Sequence, residues 1–245
     1  MRLKLISCEV LFREMCAAVA RSPHQVDVEF LPKALHDRGG DAMQKALQET
    51  IDQTDPARYQ AVLMGYGLCG NGLLGLTARA VPVVAPRAHD CIALLMGSRH
   101  RYREFFDANP GVYFRSTGWL ERGEGLEPAS SVRMGAGLAM EDLVARYGEE
   151  NAQYLFEELT RYRKNYRKLV YIETGLENDG SFEERARVEA AERGWTFEKL
   201  AGSLTLFERL VAGDWSDEDF LVVNPGYRIN VRYDENVIAA EKCAE

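Results

Sequence analysis

The chain has 245 residues, 46% hydrophobic and 28% charged, with a formal net charge of −8. That length suits one large domain or two small lobes, and an acidic chain without a basic stripe is a poor partner for nucleic acid. No apolar run approaches the ~20 residues of a transmembrane helix, and Met1–Ser7 is too short and strand-like for a signal peptide. A cytoplasmic protein with no membrane partner is therefore the expectation.

Short β-rich runs alternate with helical patterns, which specifies an α/β fold with a mostly parallel sheet. Strands are expected near 2–7, 26–31, 60–66, 81–85 and 111–115, and helices near 10–21, 40–53, 89–107, 138–147 and 149–165. A second series follows: strand 168–173, helix 183–193, strand 195–200, helix 204–212 and strand 220–224. Residues 3–66 and 168–224 thus share a Rossmann-like β-α-β-α-β order. This predicts two lobes, an N-terminal one over 1–137 and a smaller one over 138–245 that begins with bridging helices, with a cleft between them. The Gly/Ser/Glu-rich stretch 121–137 reads as a loop, and 227–245 as weak alternation followed by a polar tail.

Five cysteines in a reducing compartment argue for thiolate chemistry or burial rather than disulfides. Cys8, Cys69 and Cys91 each follow a predicted strand. Parallel neighbouring strands open their carboxyl ends on one edge, where ligands of such folds lie, so these thiols are expected in one crevice. His89 precedes Cys91 by two residues, which on an extended segment puts both side chains on one side. Imidazole and thiolates are good zinc ligands, and thiolates also hold iron–sulfur clusters. The expected metal set is Cys8, Cys69, Cys91 and His89, with Glu9 as general base. Cys16 falls on the apolar face of the first helix with Leu11, Met15 and Val19 and reads as core. Cys243 lies in the tail and is left out of the site.

Five glycines occupy eleven positions over Gly65–Gly75. Such a turn after a strand frees the backbone for positive φ, and its N–H groups before a helix can hold an anion. Gly67, Gly70, Asn71 and Gly72 are the candidates, joined by Arg87, Ser98 and Arg99, since arginine receives carboxylate or phosphate in a bidentate manner. The spacing matches neither the dinucleotide fingerprint nor the P-loop. Asp90 suits a helix N-cap. Trp119, just past a strand, either walls a pocket or fills core.

Ile6-Ser7-Cys8-Glu9, Gly65-Tyr66-Gly67-Leu68-Cys69-Gly70-Asn71-Gly72, Arg87-Ala88-His89-Asp90-Cys91-Ile92 and Gly97-Ser98-Arg99 with Tyr102 resemble domain-of-unknown-function family 1638 of methanogenic archaea and other anaerobes. The resemblance implies anaerobic one-carbon metabolism and corrinoid-linked methyl transfer, in which zinc held by His and Cys activates a thiol. The leading expectation is a zinc protein with a small anionic or thiol substrate, partnered by a corrinoid protein or methyltransferase. The alternatives are a [4Fe–4S] cluster on the three cysteines, and a non-catalytic module that binds a small anion or corrinoid or serves as an assembly factor for a partner methyltransferase.

Overall fold

A computed structural model describes residues 1–33, 35, 40–122, 140–160 and 165–243. Of the loop expected over 121–137, residues 121 and 122 close a helix and 123–137 lie outside the described residues, as do 161–164 of the helix expected over 149–165. In chain order the elements are β1 (Arg2–Cys8), a 3-10 turn (Glu9–Leu11), α1 (Phe12–Arg21), β2 (Gln25–Leu31), α2 (Gly40–Asp52), β3 (Ala61–Gly65) and β4 (Val83–Pro86). There follow α3 (Cys91–Leu95), α4 (Arg99–Ala108), β5 (Val112–Ser116), α5 (Thr117–Arg122), α6 (Met140–Tyr147) and α7 (Glu149–Thr160). The chain continues with β6 (Lys168–Glu173), α8 (Ser181–Glu192), β7 (Thr196–Ala201), α9 (Thr205–Ala212), β8 (Phe220–Val223), β9 (Tyr227–Val231) and β10 (Ile238–Lys242). Among the described residues no helix is long and apolar enough to cross a membrane.

The α/β class with mostly parallel strands holds. The larger sheet has the order β2-β1-β3-β4-β8, all parallel except β8, which runs antiparallel to β4. A parallel sheet β5-β6-β7 and the hairpin β9–β10 complete the described strands. Residues of β3 and β4 are buried throughout, as strands covered on both faces must be. Alternate side chains feed two cores. Leu3, Leu5, Leu63 and Val84 meet Leu11 and Met15 near α1 and Phe207 and Leu210 of α9. Ile6, Val62, Met64 and Val83 meet Met43, Leu47 and Ile51 of α2 and Ile229 and Ile238 of the hairpin.

Several expectations need correction. The strand at 220–223, read as completing a second series, pairs in the larger sheet instead. Val112, Val170 and Ile172 of the smaller sheet share one core cluster with Leu3 and Leu5. The single helix expected over 89–107 is two. Gly97 takes φ +72° after α3, and the Ser98 hydroxyl accepts from Arg101 N–H to open α4. The C-terminal tail forms the β9–β10 hairpin, anchored by Cys243 N–H to Gly226 O at 2.9 Å. On α1 the residue buried beside Met15 is Glu14, and Cys16 is exposed. Glu14 takes that place because Thr174 reaches across from the end of β6 to donate to its carboxyl at 2.9 Å.

Candidate functional site

Strand order in the larger sheet reverses between β1 and β3, and the crevice beyond such a reversal is where open α/β sheets bind ligands. Ser7 is in register with Gly65, so Cys8 and the turn after Gly65 leave the sheet side by side. The turn is drawn toward the end of β4 by two backbone bonds, Leu68 N–H to Ala88 O and Cys69 N–H to His89 O, both 2.8 Å. Asp90 then caps α3, its carboxylate accepting from the N–H groups of Ile92 and Ala93, which sets Cys91 at the helix start.

Three strand ends thereby deliver Cys8, Cys69 and Cys91 to the wall of one cavity of about 20 Å³. Tyr66, Lys33 and Trp119 close it. The Trp119 indole donates to Cys91 Sγ at 3.4 Å, and the Lys33 ammonium lies 5.2 Å from the Trp119 ring centre. Burial pushes the Cys69 thiol up to about 12, with Asp90 and Cys8 adding in the same direction, while N–H groups of Gly67 and Cys91 bond to it and oppose the rise. Cys91 is pushed well above the ordinary thiol value, by burial first and then by Cys69 and Asp90. Both shifts favour the neutral thiol at Cys69 and Cys91.

Tyr66 stands within the glycine motif, which by itself gives it no role. It is 4% exposed, and its hydroxyl is buried with no hydrogen-bond partner among the described residues. An orphaned buried donor costs about 1–3 kcal/mol, and this one belongs to the wall that Cys8, Cys69 and Cys91 share. Burial and the neighbouring Cys8, Cys69 and Glu9 raise its pKa.

His89 does not join the thiols. Extended geometry ends at Asp90, where α3 begins, so His89 and Cys91 diverge: His89 is exposed and lines a second, larger cavity. Glu9, at the start of the 3-10 turn, accepts from the Lys33 N–H at 2.7 Å. Among the described residues no group of three or more His, Cys, Asp or Glu side chains is arranged ready to hold a metal.

The anion candidates separate as sharply. Arg87 is buried and committed, donating to Asp217 O, the Asp217 carboxylate, and the carbonyls of Asn236 and Ile238. Gly67 and Gly72 serve packing. A Cβ on Gly67 would stand 2.6 Å from Asp90 Cα, and one on Gly72 would strike Met43. No helix follows the glycine turn, and the Leu68 and Cys69 amides are already bonded to carbonyls, so the expected amide cradle lacks those donors. Gly70 follows Cys69 and precedes Asn71 in a run of three positive φ values, +45°, +65° and +72°. Ser98 caps α4.

Asn71, His89 and Arg99 remain together, in the wall of the cavity of about 760 Å³ bounded by the glycine turn, α4 and the β9–β10 connection. This cavity and the thiol cavity lie on opposite sides of the turn: Leu68 and Asn71 face one, Tyr66 and Cys69 the other. Trp119 does both: it walls the thiol cavity and packs against the core that holds Leu3 and Leu5. Lys33 gave no signal in the sequence; it is brought in by the β2 exit, which the register of β1 with β2 places beside Cys8.

No curated protein matches the chain, and no solved structure does. A family described as "Protein of unknown function (DUF1638)" matches residues 30–211, a stretch that contains Cys69 and Cys91 and begins after Cys8. On that match, which spans well over half its length, the chain belongs to the DUF1638 family.

Proposed function

We propose that this chain binds one metal ion, zinc by its donor type, through Cys8, Cys69 and Cys91. The observation that carries the reading is the convergence of three thiols from three separate strand ends on one cavity that also holds the orphaned Tyr66 hydroxyl. A void of about 20 Å³ admits a single water-sized body. That supports a mononuclear ion over a [4Fe–4S] cube. Soft thiolates favour zinc, copper(I) or iron. Loading requires the three sulfurs to close on the ion, since among the described residues no ready coordination set stands.

Zinc so held would keep a coordinated thiol ionised and supply Lewis acidity. The chain's own part is to hold the sulfurs: Trp119 N–H donates to Cys91, the Gly67 and Cys91 amides bond to Cys69, and Lys33 adds positive charge at the wall. The activity we attach to this centre is methyl transfer from a methylated corrinoid protein to a thiol: the thiol gives up its proton to solvent, the S–CH3 bond forms as the Co–CH3 bond breaks, and cob(I)alamin leaves with the bonding pair. Its support is the nucleophilicity that thiolate-bound zinc gives to sulfur.

Elemental analysis of protein purified without oxygen tests the centre. Close to one zinc per chain, lost on Cys69→Ser, is the expected result, whereas metal below ~0.3 per chain that Cys69→Ser leaves unchanged would overturn it. Cobalt substitution adds a second readout, as sulfur-to-metal absorption should weaken with each cysteine replaced. Consumption of methylcobalamin by an added alkanethiol tests the activity separately.

A further inference from the structure

We infer that the larger cavity binds a small organic anion, its carboxylate or phosphate received by Arg99 and its ring or apolar body laid against Tyr102 and Phe106. Its volume of about 760 Å³ lies within the range of small-molecule sites, roughly 300–1,000 Å³. The other arginines of its wall are already answered. Arg103 faces Glu235 at 3.3 Å and Asp107 at 3.8 Å, and Arg232 faces Asp234 at 3.1 Å. Arg99 has no carboxylate partner among the described residues. It donates through Nη1 to Glu235 O at 2.7 Å, and its Nε is buried without an acceptor. A guanidinium carries five donors in a fixed fork that suits carboxylate and phosphate, so the unanswered cation selects an acid.

The apolar wall is equally defined. Tyr102 and Phe106 stack at 5.7 Å and 29°, and Phe106 is 50% exposed toward the cavity it lines. Tyr102 is fixed by its hydroxyl, which donates to Asp90 at 2.9 Å, and Asp90 in turn caps the helix that starts at Cys91. The opposite wall holds Val237 at φ +63°. A β-branched residue in that region is a backbone outlier, and such strain gathers at ligand sites. The site is thus organised before its ligand arrives, which lowers the cost of ordering it on binding. The inference stands on these cleft residues and does not depend on the metal.

Titration calorimetry of the full chain, as purified and after chelator treatment, with phenyl phosphate, 4-hydroxybenzoate and inorganic phosphate tests it. Phenyl phosphate or 4-hydroxybenzoate should bind saturably to both preparations. Arg99→Gln should weaken that binding about 10-fold or more, with Arg99→Lys falling between, because a charged hydrogen-bond pair is lost. Phe106→Ala, at a half-exposed position, should weaken the ring-bearing probes and spare inorganic phosphate. Absence of saturable binding by all three probes, or binding that Arg99→Gln leaves within about twofold, overturns the inference. Failure of the zinc reading looks different: no metal is found, and anion binding is unchanged.

Discussion

The indole N–H of Trp119 meets the sulfur of Cys91 at 3.4 Å. A residue of α5, which follows the first strand of the smaller sheet, thereby steadies a thiol presented by the larger one. Groups that orient metal ligands typically change affinity by about 10–100-fold when removed. Trp119→Phe keeps the ring and deletes the donor. Zinc affinity should fall about 10-fold, measured by competition with a chromophoric chelator, while thermal stability of the metal-free protein changes little.

Tyr66→Phe separates a guest-binding hydroxyl from a packing ring. In metal-free protein the change removes an unsatisfied buried group, so stability should rise by about 1 kcal/mol in urea unfolding. In metal-loaded protein the gain should vanish or reverse. An equal gain in both states would place the guest elsewhere.

Arg115 is buried and pairs bidentately with Glu189 at 2.8 and 2.9 Å, its guanidinium 4.7 Å from the Tyr113 ring centre. Removing one partner of such a pair strands the other charge out of water. Glu189→Gln should destabilise the chain by about 3 kcal/mol, and Arg115→Met combined with it should recover much of the loss. Chemical unfolding of the single and double variants checks both figures.

Asp27 on β2 accepts from Tyr59 at 2.7 Å and from Arg2 and Arg58, which together hold its carboxyl down at about 2. The folded value lies below the ordinary 3.8, so the stabilisation is fully present above that value and fades as pH falls toward 2. Asp27→Asn should flatten the loss of melting temperature between pH 4 and pH 2 relative to the parent chain. Glu14 works in the opposite sense. Burial raises its carboxyl against the pull of the Thr174 bond, so its contribution is complete at low pH and declines as pH climbs past the ordinary carboxylate value.

Much of this architecture was legible from pattern alone. Uninterrupted apolar runs such as Ala61–Met64 are what a strand covered on both faces requires, and the strand-end positions of Cys8, Cys69 and Cys91 did foretell a shared cavity. What failed was local direction. His89 and Cys91 share a face only on an extended chain, and Asp90, the residue between them, is the cap at which extension stops. Arg87 beside the site read as an anion contact because sequence cannot display its acceptors, which come from residues 217, 236 and 238, more than a hundred positions away. Sheet membership of the strand at 220–223 was equally hidden, since strand order depends on distant pairing rather than on the strand's own residues. Tyr66 carried the opposite problem: an aromatic in a strand exit looks like packing until its hydroxyl is seen to lack a partner.

The return of β8 to the larger sheet has a consequence for how the chain can be divided. Val83 through Pro86 find their hydrogen-bonding neighbours among Phe220–Val223, so a protein truncated before Phe220 would display a naked, fully apolar sheet margin along β4. Such margins recruit other chains. An amino-terminal fragment should therefore form intermolecular β-structure and precipitate, and supplying the missing carboxy-terminal piece in trans should restore its solubility.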